Sequence, residues 1–461
     1  MNDIVFKNKH DDPETLKTLC DLTGVNLKDI PLNDKKVFEM INDITVLGIK
    51  QEEFPYRIGS WALPELGTNF TIQMLEELKP SNMTEMIYFA GLSHGTSVWA
   101  GNGQDLMNAG KTIDQIISTR DRLYDYLVEC GLTKERAFFA VDKIRKGAWN
   151  KVDEDIKKEI DEKVPAWYVD SMKKISYLFP SAHAASYMQA AVRIAYFKLY
   201  YPVEYYTAIL TRYGAKNNVA NFPYDAAVNV SSLEQYEAIV KNIKENSTRP
   251  EQEKDGIRLA LIIYEAKLRG ITLSPATLNS HYRFFAINPE DRNNIIRPLT
   301  SIAGVGEGLA NKIYNDISVN GVANIDELYE RTMIVFDEET GKTSLRKIYT
   351  DSVLLKLGLP VPEELSEEEK ALAKKYKIAI SKFSKIYVRN KIKEYQLNPP
   401  YEITEKDKAL QKLIKIKLSD FETTKDFKQK LDKDIELICS IDPKIALKVQ
   451  KINEKYDNSP E

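Results

Sequence analysis

The sequence has 461 residues, of which 43% are hydrophobic and 29% are charged, a composition typical of a globular chain with about two to four domains. The net charge of −3 excludes a protein that is basic overall, so any surface that binds nucleic acid must be local. Three cysteines and four histidines are scattered along the chain, which argues against a disulfide framework and against a metal-ligand cluster.

The sequence also lacks the signals of secretion and membrane insertion. No run of about 18 apolar residues is present, and the first residues are polar, so we predict neither a membrane span nor a signal peptide. We expect a chain of this kind in the reducing cytoplasm.

In chain order, residues 10–60 predict short helices that Pro31 and Gly48 interrupt. A loop rich in glycine and proline follows at residues 56–68. The next polar feature is Ser-His-Gly-Thr at residues 93–96, before a predicted helix at residues 103–108. Backbone N–H groups and hydroxyls of such a turn suit a phosphate group, which makes Ser93 and His94 candidate ligand-binding residues. An ordinary tight turn is the alternative.

Two cationic segments follow. Arg120 lies at the start of a predicted helix, and a planar guanidinium binds phosphate oxygens in pairs; a solvated or salt-bridged arginine is the commoner role. Lys143, Arg145 and Lys146 form a basic cluster before Gly147. These three cations either contact phosphate or complement the dipole at a helix C-terminus.

The stretch that organises the chain is residues 178–206, LFPSAHAASYMQAAVRIAYFKLYYPVEYY. It predicts one helix of about twenty residues, with small side chains in the first turns that allow close approach. His183 and Tyr187 are four apart and share a helix face, and Arg193 and Lys198 follow. Aromatic and cationic side chains together are typical of a nucleotide or nucleic-acid surface; the alternative is a buried helix with core aromatics and a satisfied histidine.

Beyond residue 206 the pattern changes. An Asn- and Ala-rich segment at residues 213–231 predicts a linker or a small strand-bearing region, and two amphipathic helices follow, the second ended by Gly270. Alternating residues with proline breaks then predict short strands near residues 214–300.

Residues 301–313, SIAGVGEGLANKI, have the form of a helix–hairpin–helix. Gly304 and Gly306 would bring backbone N–H groups to a DNA phosphate without reading base sequence, and Lys312 would add charge. The alternative is an ordinary glycine-rich turn before a helix.

The last hundred residues are rich in Lys and Glu with helical periodicity. A basic run at residues 374–393 is interleaved with aromatic residues and fits either a path along phosphates or, as we favour, a charged helix with an apolar stripe.

Several sequence motifs resemble those of one protein family. F-P-x-A-H-A-A-x-Y at residues 179–187, followed by V-R-I-A-Y-F-K, resembles the fingers helix of bacterial C-family replicative DNA polymerases, and most closely the PolC form of the DNA polymerase III alpha subunit. Further similar stretches occur in family order at residues 10–24, 62–70, 73–81, 91–106, 118–127, 145–147 and 164–180.

Together, the residues and the resemblance predict a mainly α fold with a small α+β portion. The expected parts are a remnant of the palm junction at residues 1–9, a fingers domain at residues 10–213, a duplex DNA-binding domain at residues 214–360 with the helix–hairpin–helix at residues 301–313, and a charged helical extension at residues 361–461. The resemblance implies that Arg120 reaches the incoming triphosphate. It also implies that His183 and Tyr187 lie beside the nascent base pair, with Ser93 and His94 bordering the nucleotide.

Catalysis in the family depends on palm aspartates that hold two Mg²⁺ ions for phosphoryl transfer. Phe6 stands where the last of these aspartates belongs. We therefore expect no catalytic and no metal-binding residue in this chain, and Mg²⁺ ligands outside it. Because fingers normally lean on a palm, we also expect no single core and some exposed apolar surface near the N-terminus.

Three functional hypotheses follow. The chain is part of a DNA-directed DNA polymerase, a nucleotidyltransferase of DNA replication that is inactive alone; or it is a non-catalytic DNA-binding module; or it is a degenerate relic. The partners under the first hypothesis are primer–template DNA, dNTP and a palm-bearing part on another chain or upstream. A sliding clamp is a further candidate, but the clamp-binding peptide of the family is not found, and no membrane is involved.

Overall fold

A computed structural model describes residues 12–214, 222–321, 325–337, 342–361, 363–380 and 385–398. The predicted palm junction, with Phe6, and the final part of the charged extension, residues 399–461, lie outside the described residues. The chain divides into two compact units, the first ending at Val361, and each is described by itself. Among the described residues, no helix is both long and apolar enough to cross a membrane.

The first unit is built mainly of helices, which confirms the predicted fold class. Its helices are α1 Asp12–Thr23, α2 Lys35–Asn42, α3 Asn69–Leu78, α4 Met83–His94, α5 Gln104–Asn108, α6 Arg120–Glu129, α7 Lys134–Ile144, α8 Glu154–Lys163, α9 Ala166–Lys174, α10 Ser181–Tyr200, α11 Pro202–Gly214, α12 Tyr224–Ala227, α13 Leu233–Asn246, α14 Pro250–Leu268, α15 Glu307–Asn320, α16 Ile325–Glu330 and α17 Asp351–Lys356.

Local chemistry explains where the helices around the later site begin and end. The hydroxyl of Thr119 accepts a hydrogen bond from Arg122 N at the start of α6, and that of Thr133 accepts one from Arg136 N at the start of α7. Each hydroxyl satisfies a backbone N–H that the helix itself leaves free. Gly270 follows the end of α14 with a left-handed backbone, as predicted.

Short strands complete the first unit. β1 Thr272–Ser274 pairs in parallel with β3 Asn294–Ile296, and β2 Ala286–Ile287 pairs with β3 in antiparallel register. These strands lie where the alternation of residues predicted them. The hairpin of β4 Thr332–Asp337 and β5 Lys342–Lys347 was not predicted, and α12 is a helix in a segment for which we expected a linker or strands.

One large cluster forms most of the described core of the first unit. Buried apolar side chains form one cluster that runs from Leu16 in α1 to Ile295 in β3. α10 packs against α1, α2, α4, α6 and α11. α1 and α2 join this cluster through α10, whereas buried side chains farther along the unit, such as Leu299 and Leu354, are not members of it. The expectation of no single core therefore stays a prediction. Within residues 13–60, Leu22 alone among the large apolar side chains is exposed, at 40%.

A buried polar network crosses this core and corrects the prediction for Lys198. The side chain is fully buried, and its Nζ lies 2.8 Å from Glu265 Oε1 and donates to the carbonyl of Trp61 at 2.6 Å. Tyr206 donates to the other carboxylate oxygen of Glu265 at 2.8 Å. Burial lowers the pKa of Lys198 to about 8, and attraction to Glu265 opposes that shift. Lys198 is thus a structural cation of the core and not part of a nucleic-acid surface.

The described part of the second unit contains α18 Glu367–Lys375 and α19 Lys385–Leu397. Ala373 of α18 and Val388 and Ile392 of α19 pack together with Leu365 in a small core. Arg389 binds both carboxylate oxygens of Glu369, at 2.7 and 3.3 Å. Much of the predicted basic run at residues 374–393 therefore lies in α19, a charged helix with an apolar stripe.

Candidate functional site

Residues 177–181, which end the connection from α9 and include the first residue of α10, tie together three of the predicted site regions; we call them the linking segment. Thr96 N donates to the carbonyl of Tyr177 at 3.0 Å, and Leu178 N donates to the carbonyl of Arg145 at 3.1 Å. Arg120 N donates to the carbonyl of Phe179 at 3.2 Å. Backbone bonds of this kind do not depend on surface side-chain rotamers, so they hold the three regions at a defined spacing.

Side chains reinforce the junction between α6 and α10. Asp121 accepts a hydrogen bond from Ser181 N at 2.7 Å, so its carboxylate satisfies a free N–H at the start of α10. The hydroxyl of Ser181 donates to that of Thr119 at 2.8 Å. The turn after α7 also comes close, since a Cβ at Gly147 would lie 3.0 Å from the backbone of Ser176.

A cleft of about 440 Å³ lies between α6 and α7. Its lining consists of Arg120, Asp121, Tyr124, Asp125, Phe138, Val141, Asp142 and Arg145. Two guanidinium groups, from different helices, thus line one cleft, and each has a carboxylate nearby: Arg120 Nε lies 3.8 Å from Asp121, and Arg145 Nη2 lies 2.8 Å from Asp142. The two arginines suit an anion with several oxygens, and three carboxylates, those of Asp121, Asp125 and Asp142, line the same cleft.

Asp142 is the centre of the predicted basic cluster. Its Oδ1 lies 2.8 Å from Arg145 and 3.1 Å from Lys146, and its Oδ2 lies 3.6 Å from Lys143. Hydrogen bonds from Arg145 and Lys146 lower the pKa of Asp142 to about 2, so the carboxylate is charged at neutral pH. Because α7 ends at Ile144, the cations also lie at a helix C-terminus, as the alternative interpretation required.

The predicted aromatic and histidine residues form a second group next to the cleft, with Phe179 in its middle. The ring of Phe179 stacks on His94 at 4.8 Å and on Tyr187 at 6.2 Å, and meets His183 edge-on at 6.1 Å between centroids. His183 and Tyr187 are exposed, and His94 Nε2 lies 3.2 Å from Glu65.

The predicted nucleotide-site residues are therefore divided between two adjoining places. Arg120 and Arg145 line the cleft, whereas His183 and Tyr187 are not among its lining residues. The connection is Phe179, whose ring joins the aromatic group and whose carbonyl accepts from Arg120 N. Phe179 thus connects the aromatic group to the cleft lined by the two arginines.

The predicted polar turn at residues 93–96 needs correction. Ser93 and His94 belong to the last turn of α4, and the Ser93 hydroxyl donates to the carbonyl of Ala90 at 3.1 Å. The N–H groups of Gly95 and Thr96 already donate to Gly91 and Tyr177. The Thr96 N–H holds the linking segment and the Gly95 N–H closes the end of α4, so neither is available to a phosphate group.

The predicted helix–hairpin–helix is not confirmed in detail. α15 follows the glycines as expected, with Gly306 at its N-cap, but the element before them is a single 3₁₀ turn, Leu299–Ser301. Lys356 closes over the turn and donates to the carbonyl of Gly304 at 3.1 Å. Lys312 is exposed on α15.

Tyr124, Phe138 and Phe179 are site residues for which the sequence suggested no role. A signal for the first two exists, because Tyr124 follows Arg120 by four residues, and Phe138 precedes Asp142 by four and Arg145 by seven. Helical spacing places such residues on one face. Nothing in the sequence indicated that these two faces would meet each other.

Mg²⁺ is bound by oxygen ligands in a near-octahedral arrangement. Across the parts of the chain that the structure describes, no group of three or more His, Cys, Asp or Glu side chains is arranged to hold a metal ion. Asp121 and Asp142 in the cleft are already engaged by Ser181 and by the cations of α7. The described residues therefore do not fit a Mg²⁺ site.

Comparison with known proteins supplies independent information. Residues 12–164 match the family model of the bacterial DNA polymerase III alpha subunit finger domain. The chain is 36% identical over 309 residues to the PolC-type DNA polymerase III of Staphylococcus saprophyticus, covering 66% of this chain and 21% of that protein. It is 35% identical over 314 residues to that of Streptococcus suis, with 66% and 21% covered, and 34% identical over 327 residues to that of Mycoplasmopsis pulmonis, with 70% and 23% covered. The chain thus spans about a fifth of the length of these relatives.

Proposed function

Over the two thirds of its length that align, the chain belongs to the PolC-type DNA polymerase III family, and from this premise we propose that it binds the incoming dNTP and primer–template DNA as part of a DNA-directed DNA polymerase. The observation that carries the proposal is the linking segment. Its backbone joins the residue 96 turn, Arg120 and Arg145, and two of these three regions, those of Arg120 and Arg145, line one cleft.

The cleft is the proposed site of the triphosphate. Arg120 and Arg145 present always-charged, planar donors from two helices, a geometry that suits phosphate oxygens. Asp142 accepts hydrogen bonds from Arg145 before a ligand arrives, whereas the Asp121 carboxylate lies 3.8 Å from Arg120 and accepts from Ser181 N. A bound triphosphate would take over the Arg145 hydrogen bonds, and the half-exposed position of both arginines leaves them accessible to it.

The aromatic group is the proposed site of the base. Tyr187 and His183 project from the exposed start of α10, where Ala182 and Ser186 leave room for close approach. Tyr187 is backed by Phe179, which stacks on it at 6.2 Å. A supported, exposed ring of this kind stacks on a base with a stabilisation of about 1–3 kcal/mol.

The described residues bind and orient; they do not supply the metal chemistry. Two-metal phosphoryl transfer requires carboxylates that bridge both ions, and we assign these carboxylates to a palm that lies outside the described residues. The duplex behind the primer terminus is proposed to contact the turn of Gly304 and Gly306 and the side chain of Lys312, because the N-terminus of α15 offers free N–H groups to a phosphate.

Nucleotide binding tests the cleft. The variants Arg120→Gln and Arg145→Gln are expected to weaken binding of a fluorescent dNTP about 10- to 100-fold, since each removes charge-assisted hydrogen bonds to phosphate. Fluorescence titration of the full chain measures the dissociation constants.

Arg136→Gln is the matched control for these two variants. Arg136 lies on α7 as well, but its guanidinium pairs with Asp155 and Glu159, and it does not line the cleft. Equal affinities for all three variants would contradict the assignment of the cleft to the triphosphate.

Primer extension tests whether the metal-binding carboxylates lie outside this chain. With Mg²⁺, dNTPs and a primed template, the isolated chain is expected to incorporate no nucleotide, because the described residues provide no site for the two ions. Gel analysis of the labelled primer gives the measurement. Incorporation by the purified chain would place the metal-binding carboxylates within it and refute this part of the proposal.

A further inference from the structure

Two adjacent phenylalanines on α7 are exposed to solvent. Phe138 is 62% and Phe139 57% exposed, and their rings meet edge-on with centroids 6.0 Å apart. The opposite face of α7 already supplies the core contacts, through Ala137, Ala140 and Ile144. The phenylalanines therefore contribute little to the packing of this unit, and apolar surface left exposed in this way commonly marks a contact with a partner.

Three cations lie near this aromatic pair. Phe139, Lys143 and Lys146 follow each other at intervals of four and three residues, so they lie along one side of α7 and the turn that ends it. The side chains of Lys143 and Lys146 are 44% and 54% exposed. Phe138 lines the cleft together with Arg145. Asp142 pairs with all three cations, and the exposed Glu135 precedes Phe139 by four residues on the same helix. Three cations thus face two carboxylates, and the surface keeps a small excess of positive charge.

We propose that the surface of Phe138, Phe139, Lys143 and Lys146 binds single-stranded DNA, the unpaired template beside the nucleotide cleft. The inference rests on the proposed function, since a polymerase is what brings an unpaired template strand to this place. Bases stack on the two exposed rings, and the backbone phosphates contact the two lysines, a combination that binds single strands without sequence preference.

The charges favour DNA over a protein partner for this surface. An apolar protein segment placed on the rings would bury Lys143 and Lys146, which share the single carboxylate of Asp142, and burying charge that is not fully compensated is costly. A polyanion instead neutralises both lysines and releases its counterions. The edge-on arrangement of the two rings also presents two separate ring faces, one for each of two bases.

The test is binding of the full chain to fluorescein-labelled oligothymidine, measured by fluorescence anisotropy at several salt concentrations. The double variant F138L/F139L keeps apolar side chains but removes both rings. It is expected to weaken binding about 10- to 100-fold, because base–aromatic stacking is removed. Phe70→Leu is the control: Phe70 is likewise exposed, at 47%, but lies on α3, and its replacement is expected to leave binding unchanged.

A second variant tests the lysines independently. K143Q/K146Q is expected to lower the slope of log affinity against log salt by about 0.7 for each phosphate that a lysine no longer neutralises, whereas F138L/F139L leaves this slope as in the wild type. Circular dichroism verifies folding, and the lysine variant carries the test alone if the phenylalanine variant loses helix content.

The outcomes separate this inference from the proposed function. Unchanged oligothymidine binding by F138L/F139L overturns the inference and indicates that the apolar surface serves a protein segment. If nucleotide binding depends on Arg120 but oligothymidine binding does not depend on the two rings, the inference is wrong and the proposed triphosphate site still stands. Ring-dependent DNA binding without nucleotide binding at the cleft sustains the inference and contradicts the proposed triphosphate site.

Discussion

Replacing Lys198 with alanine is expected to lower the free energy of unfolding by about 3–5 kcal/mol, because it leaves the buried carboxylate of Glu265 without its cation. Both side chains are fully buried, and Nζ lies 2.8 Å from Oε1. The carbonyl of Trp61 loses a donor as well. The network links α10, α14 and the loop before α3, so its loss affects the whole core. Urea denaturation followed by circular dichroism measures the change.

Two further variants define what the Lys198 result means. The double variant K198M/E265L removes both charges and is expected to recover only part of the stability. A buried ion pair often does no better than apolar residues of similar volume, but the Tyr206 hydroxyl and the Trp61 carbonyl lose their buried partners. Lys241→Ala removes an exposed lysine that lies 3.9 Å from Glu245 and is expected to change stability by less than about 1 kcal/mol. Equal losses for Lys198→Ala and Lys241→Ala would show that the buried charge is not the cause.

Gly91→Ala is the second change with a large expected effect, a loss of about 1–3 kcal/mol from overpacking. Gly91 lies in α4, and a Cβ there would lie 2.5 Å from Thr119 Cγ2 and even closer to the carbonyl oxygen of Ser118. That backbone leads directly into Arg120. We therefore expect weaker dNTP binding together with reduced stability, measured by fluorescence titration and by urea denaturation.

Gly308→Ala is the comparison for Gly91→Ala. Gly308 also lies in a helix, α15, but a Cβ there would meet nothing within 4 Å. Alanine is the better helix former, so this variant is expected to gain up to about 1 kcal/mol. If Gly91→Ala matched Gly308→Ala in stability and in nucleotide binding, the close approach of α4 to residues 118–119 would not position Arg120.

The packing of α4 shows how this fold builds its candidate site. Core contacts place α4, α6 and α10 together, and the segments at their ends then meet through backbone hydrogen bonds at the linking segment. Side chains that extend from those ends, such as Arg120 and Tyr187, receive their positions from the core. Stability and ligand binding are therefore expected to be coupled in variants of these helix contacts.

Local sequence information was sufficient for α10 and for the end of α14. The uninterrupted run after Pro180 and Gly270 after α14 are signals that act over a few residues. The sequence motif around Phe179 also indicated the family, and the comparisons agree. The roles assigned to Arg120, His183 and Tyr187 stay predictions, to be tested by binding.

What the sequence by itself determined is therefore the family and the helical class. Only the tertiary structure decided that Lys198 is buried, because its partner Glu265 lies 67 residues away and no local signal marks such a pair. Only the tertiary structure brought Arg120 and Arg145 to one cleft and joined it to Tyr187 through Phe179. Capping and periodicity act along one helix, whereas burial and convergence depend on which helices pack together, and that choice is made by the core as a whole.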